Sequence, residues 1–214
     1  MTTPAPLPAG STLVIGFLGG YEPWNDPHRS VRQLVLQLRQ LHGVCAESIS
    51  NHHRTLAIEL IMRALDRNHD GKLSARERAA ARIILFGQSW GGGATLLTAR
   101  NLEKLGIPVL LTVQVDSVGV RDAVVPANVR AAVNFYQHDP LTIQGRSEIR
   151  AADPKSTQIL GNFELSYRDR AVDEQNASLP RRLLGGSHAK MELDPEVWNR
   201  VEVFINDAIT GRLP

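Results

Sequence analysis

Short, nearly continuous apolar runs alternate along this chain with stretches in which apolar residues recur every three or four positions. Thr12-Leu-Val-Ile-Gly-Phe17 is a run of the first kind, bounded by turn residues, and predicts a buried strand. Asp26-Pro27 then opens a predicted helix, with Asp as N-cap and Pro in the first turn. Val31, Leu34, Val35, Leu38 and Leu41 follow at helical spacing, and Gly43 closes the element. Val44 to Ser48 predicts a second strand. Residues 54–66, carrying Leu56, Ile58, Ile61, Met62 and Leu65, predict a second amphipathic helix. Ala81 to Gly87 reads as a third strand, and 93–105 as a helix stopped by Gly106 and Pro108. Val109 to Val115 and Val129 to Tyr136 are the fourth and fifth strands. Asp194-Pro195 starts a last helix, with Val197, Val201, Phe204, Ile205 and Ile209 on one face and Gly211 at its end.

Strands that alternate with helices imply βαβ units and a parallel sheet covered on both faces. The expected architecture is an α/β three-layer sandwich with a mostly parallel central sheet. At 214 residues the chain fits one domain, spanning 11–214. Met1 to Gly10 holds three prolines and no basic segment, so it is expected to be a loose arm and not a signal peptide. The stretch 139–187 has the weakest periodicity and is expected to form loops at the open end of the sheet.

Composition narrows the function classes. Lys plus Arg number 24 against 22 Asp plus Glu, a net of +2, which speaks against a nucleic-acid binder with its strongly basic face. No run of 18 apolar residues exists, so no membrane span is expected. The single cysteine, Cys45, excludes an internal disulfide framework and a Cys-rich zinc site. His52-His53 lacks a third ligand at usable spacing and reads as loop. Arg146, Arg181 and Arg182 read as solvated charges. Compartment and oligomeric state are left open.

The sharpest local signal is Gly87-Gln88-Ser89-Trp90-Gly91-Gly92, a GxSxG motif between a predicted strand and a predicted helix. By itself such a match is weak. The strand–turn–helix context gives it weight, because it presents the serine hydroxyl at the carboxyl edge of the sheet.

With this motif in this context the chain resembles the α/β-hydrolase family over nearly its whole length. The resemblance implies a compact α/β-hydrolase fold with Ser89 as nucleophile, activated by a histidine that the family places late, in a loop before the last helix. His188, in Gly186-Ser187-His188-Ala189, occupies that place. The third member orients the imidazole. The commoner family position favours Asp139; a subset favours Asp116, one strand earlier. Asp116 ends a clean apolar run, an expensive place for an unpaired carboxylate, and is preferred. Asp139 precedes a proline, can serve as a turn starter, and stays open as the alternative. The oxyanion donors implied are the backbone N–H groups of Trp90 and of Leu18, with Gly19 as the neighbouring choice. The family's HGGG variant is absent, since no histidine precedes Gly19-Gly20. Tyr21, Trp24 and Trp90 are candidates to line an aromatic or acyl side of the cleft.

The implied function is hydrolysis of carboxylic esters, small-molecule or polymeric, through an acyl-enzyme. A thioesterase or acyltransferase on the same residues, and a non-catalytic calcium-stabilised binding module, are the alternatives. No long insertion separates the fourth and fifth strands, so no large lid is expected beyond what 139–187 builds.

A second motif is of a different kind. Residues 66–77, DRNHDGKLSARE, match the EF-hand calcium loop: oxygen side chains at Asp66, Asn68, Asp70 and Ser74, a turn glycine at Gly71, the Lys72 carbonyl, and a twelfth-place Glu77. No partner EF-hand is present, so a structural calcium ion that staples the segment before the nucleophile strand is expected, rather than a sensor.

Overall fold

The computed structural model describes residues 1–21, 23–139, 143–173 and 186–213. Arg181 and Arg182 lie outside them, as do 140–142 and the rest of 174–185 in the expected loop region. The elements run β1 (Thr12–Leu18), α1 (Ser30–Leu38), β2 (Val44–Ser50), a 3-10 turn (Asn51–His53), α2 (Arg54–Leu65), α3 (Ala75–Ala79), β3 (Ile83–Gln88) and α4 (Trp90–Lys104). They continue with β4 (Val109–Val115), β5 (Val124–Val125), β6 (Val129–Gln137), β7 (Arg150–Ala151), β8 (Gln158–Leu165), α5 (Gly186–Leu193) and α6 (Pro195–Thr210).

Six strands form one sheet in the order β2-β1-β3-β4-β6-β8, and every neighbouring pair is parallel. The fold is therefore the predicted α/β sandwich. Alternation along β1 shows the layering: Leu13, Ile15 and Phe17 pack with Ile61 of α2 and Leu96 of α4, whereas Val14 and Leu18 pack with Leu34 of α1 and Val201 of α6. Apolar side chains on both faces of the sheet explain why the strands read as continuous runs.

The chain runs from β1 outward to β2, then crosses back to place β3 on the other side of β1. That reversal opens a crevice at the carboxyl ends of β1 and β3, the usual location of ligand sites in open parallel sheets.

Four departures from the sequence reading have local causes. Helix α1 begins at Ser30, not at Asp26-Pro27, because the Asp26 carboxylate accepts from the His28 N–H and the Arg29 guanidinium, closing its own turn. Strand β8 lies inside the stretch read as loops. It is an edge strand with only one neighbour, so it carries no continuous apolar run, and its Gly161 makes room for the Phe163 ring. His188 stands in the first turn of helix α5, not in a loop; Ala189, Lys190, Met191, Glu192 and Leu193 are all good helix formers, and Pro195 restarts the chain as α6. The first ten residues, read as a loose arm, are tied at two points: the Thr3 N–H donates to Glu47 Oε1 at 2.8 Å, and the Leu7 N–H donates to the Ala64 carbonyl at 2.8 Å.

Candidate active site

Ser89 occupies the turn between β3 and α4 with φ 56° and ψ −125°. A non-glycine residue held there costs on the order of 1–3 kcal/mol and persists only where the surroundings enforce it. Here the enforcement is steric. A Cβ at Gly91 would overlap the Phe17 carbonyl of β1, and a Cβ at Gly87 would overlap the Gly91 carbonyl. The two glycines thus let strand and helix close on each other with the serine at the apex. The Ser89 N–H is anchored to the Val115 carbonyl at 2.9 Å.

Ser89 Oγ lies 3.0 Å from His188 Nε2, and His188 Nδ1 lies 2.6 Å from Asp116 Oδ2. An ionised carboxylate only accepts hydrogen bonds, so Nδ1 carries the proton and Nε2 presents its lone pair to the hydroxyl. The imidazole is 12% exposed and the carboxylate is fully buried. Three segments 27 and more residues apart in sequence thereby converge at the carboxyl ends of β3 and β4 and at the start of α5.

Asp116 is held by more than the histidine. The Gln137 side-chain amide donates to Oδ2 at 3.0 Å, and the Gly145 N–H donates to Oδ1 at 2.9 Å. These donors stabilise a charge that burial alone would disfavour. The competing aspartate faces elsewhere. Asp139 accepts from the Tyr167 N–H at 2.7 Å and the Ser166 hydroxyl at 2.9 Å, and pairs with Arg168 at 3.5 Å. Burial pushes the Asp139 carboxyl up, but the Tyr167 N–H, the Ser187 and Ser166 hydroxyls and Arg168 outweigh it, leaving it below the usual range. Asp139 is thus a knot between β6, the segment after β8 and the residue preceding His188.

The Trp90 N–H begins α4 at the positive end of the helix dipole, and two residues on the Gly92 N–H donates to the Ser89 carbonyl at 3.0 Å. The loop after β1 closes against them: a Cβ at Gly19 would lie 2.9 Å from Ser89 Cβ. Leu18 itself is fully buried, its side chain pointing into the layer of α1 and α6. Asn51 fixes the curl of this loop, its amide donating to the Leu18 carbonyl at 3.0 Å and the Gly20 carbonyl at 2.6 Å. Sequence reading missed Gln137, Gly145 and Asn51. Gln137 and Asn51 are polar residues at strand ends, a signal that was available; Gly145 carried none.

The rings of Tyr21 and Trp90 meet, with His52 as a third, whereas Trp24 lies apart under the Arg32 guanidinium.

The loop 66–77 is organised by its own carboxylates. Asp66 accepts from the Asp70 and Gly71 N–H groups, and Asp70 from the Lys72 N–H and the Asn68 amide. Glu77 accepts from the Ser74 hydroxyl at 2.7 Å and the Ser74 N–H at 2.8 Å, a capping box for α3, and from the Arg67 N–H at 2.8 Å. Those bonds hold its carboxyl down to about 2. Among the described residues no group of three or more His, Cys, Asp or Glu side chains is gathered closely enough to hold a metal ion. None of the described helices is long and apolar enough to cross a membrane.

No family model matches the chain, and no curated protein matches it. Solved structures do resemble it, among them the following two. One is a dienelactone hydrolase from Anabaena variabilis, 13% identical, with a TM-score of 0.46 over 96% of this chain and 88% of that one. The other is a dienelactone hydrolase-like promiscuous phosphotriesterase from metagenomic libraries, 16% identical, with a TM-score of 0.46 over 98% of this chain and 88% of that one.

Proposed function

We propose that the chain is a serine hydrolase of the α/β-hydrolase type acting on carboxylic esters. The observation that carries this reading is the continuous contact from Ser89 Oγ through the His188 imidazole to the buried Asp116 carboxylate, at 3.0 and 2.6 Å. Ser89 Oγ attacks the ester carbonyl carbon while its proton passes to His188 Nε2. Asp116 keeps the imidazole in the tautomer that can take that proton and stabilises the imidazolium that results. The negative charge on the former carbonyl oxygen is met by the backbone N–H groups of Trp90 and Leu18. Collapse expels the alcohol, which receives the proton from His188, and leaves an acyl-serine. Water then repeats the sequence and frees the acid.

Supporting this reading, Ser89 keeps a strained backbone at the end of β3, between glycines that let strand and helix approach closely, and strain of this kind collects at functional sites. The test is labelling with a fluorophosphonate together with hydrolysis of short p-nitrophenyl esters. Wild type is expected to label on Ser89 and to turn over ester, and Ser89→Ala to do neither. Unlabelled wild type, or equal labelling of both proteins, removes the proposal.

The loop 66–77, whose carboxylates now bond its own donors, is proposed to gather those carboxylates around a structural calcium ion when the ion binds. Asp66, Asn68, Asp70, Ser74, Glu77 and the Lys72 carbonyl are all hard oxygen donors, the set calcium prefers, and Gly71 takes φ 77° at the sixth place, where the loop must turn sharply. The Glu77 carboxylate is ionised at neutral pH, as a ligand must be. Binding the ion exchanges its hydrogen bonds to Ser74 and Arg67 for the cation.

A further inference from the structure

Three rings meet beside Ser89 without being buried. Tyr21 follows the loop after β1, Trp90 follows Ser89, and His52 follows Asn51, which clamps that loop. Tyr21 stacks on His52 with centroids 4.6 Å apart and planes 23° from parallel. Trp90 stands edge-on to Tyr21 at 5.6 Å and 85°. His52 is in turn fixed by its Nε2 contact to the Gly20 carbonyl at 3.1 Å. The side chains are therefore oriented, yet Tyr21 remains 84% exposed and Trp90 43% exposed.

Packing for stability does not account for this arrangement. A ring that contributes to the core buries most of its area, and Tyr21 buries little. One face of its ring rests on His52, so the other is open, and Trp90 forms a wall perpendicular to it. Such an L-shaped pair of surfaces matches the two favoured geometries of a further ring, stacked on one member and edge-to-face with the other. Its place next to the nucleophile and to the loop of the proposed oxyanion donors puts it within reach of a group attached to a carbonyl under attack.

We infer that Tyr21, His52 and Trp90 form a subsite for an aromatic ring of the ester substrate. The inference rests on the hydrolase reading above and adds the substrate class: esters bearing an aryl group close to the carbonyl, on the acyl or the alcohol side. Tyr21 is the specificity-determining member, since it contributes a ring face and no part of the proposed chemistry.

The experiment compares matched pairs that differ only in planarity and π-character: benzyl acetate against cyclohexylmethyl acetate, and methyl phenylacetate against methyl cyclohexylacetate. Ethyl acetate is the small reference substrate, and fluorophosphonate labelling of Ser89 is run in parallel. Wild type is expected to favour the phenyl member of at least one pair by roughly three- to tenfold in kcat/KM, the span of one aromatic contact. Tyr21→Leu, which keeps apolar bulk but no ring, should lose that preference, its phenyl-to-cyclohexyl ratio falling to about one; Tyr21→Phe should retain it. Equal phenyl-to-cyclohexyl ratios in wild type and Tyr21→Leu, with Ser89 still labelled, overturn the subsite and leave the hydrolase reading standing. Absence of Ser89 labelling overturns both.

Discussion

Gly145 donates its backbone N–H to Asp116 Oδ1 at 2.9 Å, and its α-carbon approaches so closely that a Cβ there would overlap the same oxygen. The Arg146 N–H donates to the Ser117 carbonyl at 2.7 Å, so two successive amides fasten this segment to the end of β4. Gly145→Ala must push the strap off or displace the carboxylate. The expected result is a fall in kcat of about ten- to a hundredfold, the cost of misplacing a reacting group by an ångström or less, with KM for a small ester little changed. Parallel losses in kcat for Gln137→Ala, which removes the other side-chain donor to Asp116, would support the same role. Unchanged kcat in both variants would show that the acid needs no such holding.

The two aspartates separate by kind of effect. Asp116→Asn leaves a neutral amide facing His188 Nδ1 and favours the wrong tautomer; kcat should fall by ~10⁴. Asp139→Asn weakens the bonds to the Tyr167 N–H and the Ser166 hydroxyl, so its main effect should be a lower melting temperature, with kcat reduced less than about tenfold. Steady-state kinetics beside thermal melts tell them apart, and equal effects of the two variants on kcat would contradict the assignment.

Asn51 tests the loop after β1. Asn51→Ala removes the amide that donates to the Leu18 and Gly20 carbonyls and frees the curl of the loop that carries the proposed oxyanion donor. Ester kcat and the rate of Ser89 phosphonylation should drop together, by about tenfold or more. A drop in one without the other would place Asn51 outside the oxyanion function.

Glu47 gives a pH dependence of stability. Burial pushes its carboxyl up, yet the N–H groups of Thr2 and Thr3, the Thr3 hydroxyl and the Arg39 guanidinium outweigh that and hold it below the usual glutamate range. A depressed native value means the charged form stabilises the fold above the unfolded value of ~4.3, and that this contribution is lost as pH falls through the native value. Glu47→Gln should therefore cost about 2 kcal/mol at pH ~7 and progressively less below pH ~4. Denaturant melts of both proteins across that range check it, and a gap that widens on acidification would refute the sign.

Calcium is expected to act on stability and not on turnover. Saturating calcium should raise the melting temperature over excess chelator by several degrees, and Asp66→Asn should abolish the difference while leaving ester kcat intact. Identical melts with and without the ion would remove the site.

Much of the architecture was legible because it is written in local pattern. Strands buried on both faces are apolar at most positions, which is why β1, β3 and β4 stood out, and why the edge strand β8 did not. Helix ends followed capping chemistry at Asp194-Pro195 and Gly211, where the side chain and the left-handed backbone act within a turn. The same chemistry misled at Asp26, whose carboxylate closed a turn of its own. Of the site, the Ser89 turn was readable because its glycines follow from a strand meeting a helix at close quarters, and His188 from its position ahead of the last helix.

What the amino-acid order determined alone, then, was which short segments become strand, helix or sharp turn, since steric and capping preferences act over a few residues. Which carboxylate faces His188, which amides hold that carboxylate, and which aromatic rings gather near Ser89 were decided only by the tertiary structure. Asp116 and Asp139 both follow apolar strands, and the sequence ranks Asp116 first without showing which of them meets the imidazole. They differ because β4 adjoins β3, which carries Ser89, while the end of β6 is met by Ser166, Tyr167 and the start of α5, so one carboxylate is left to the imidazole and the other is claimed by its neighbours.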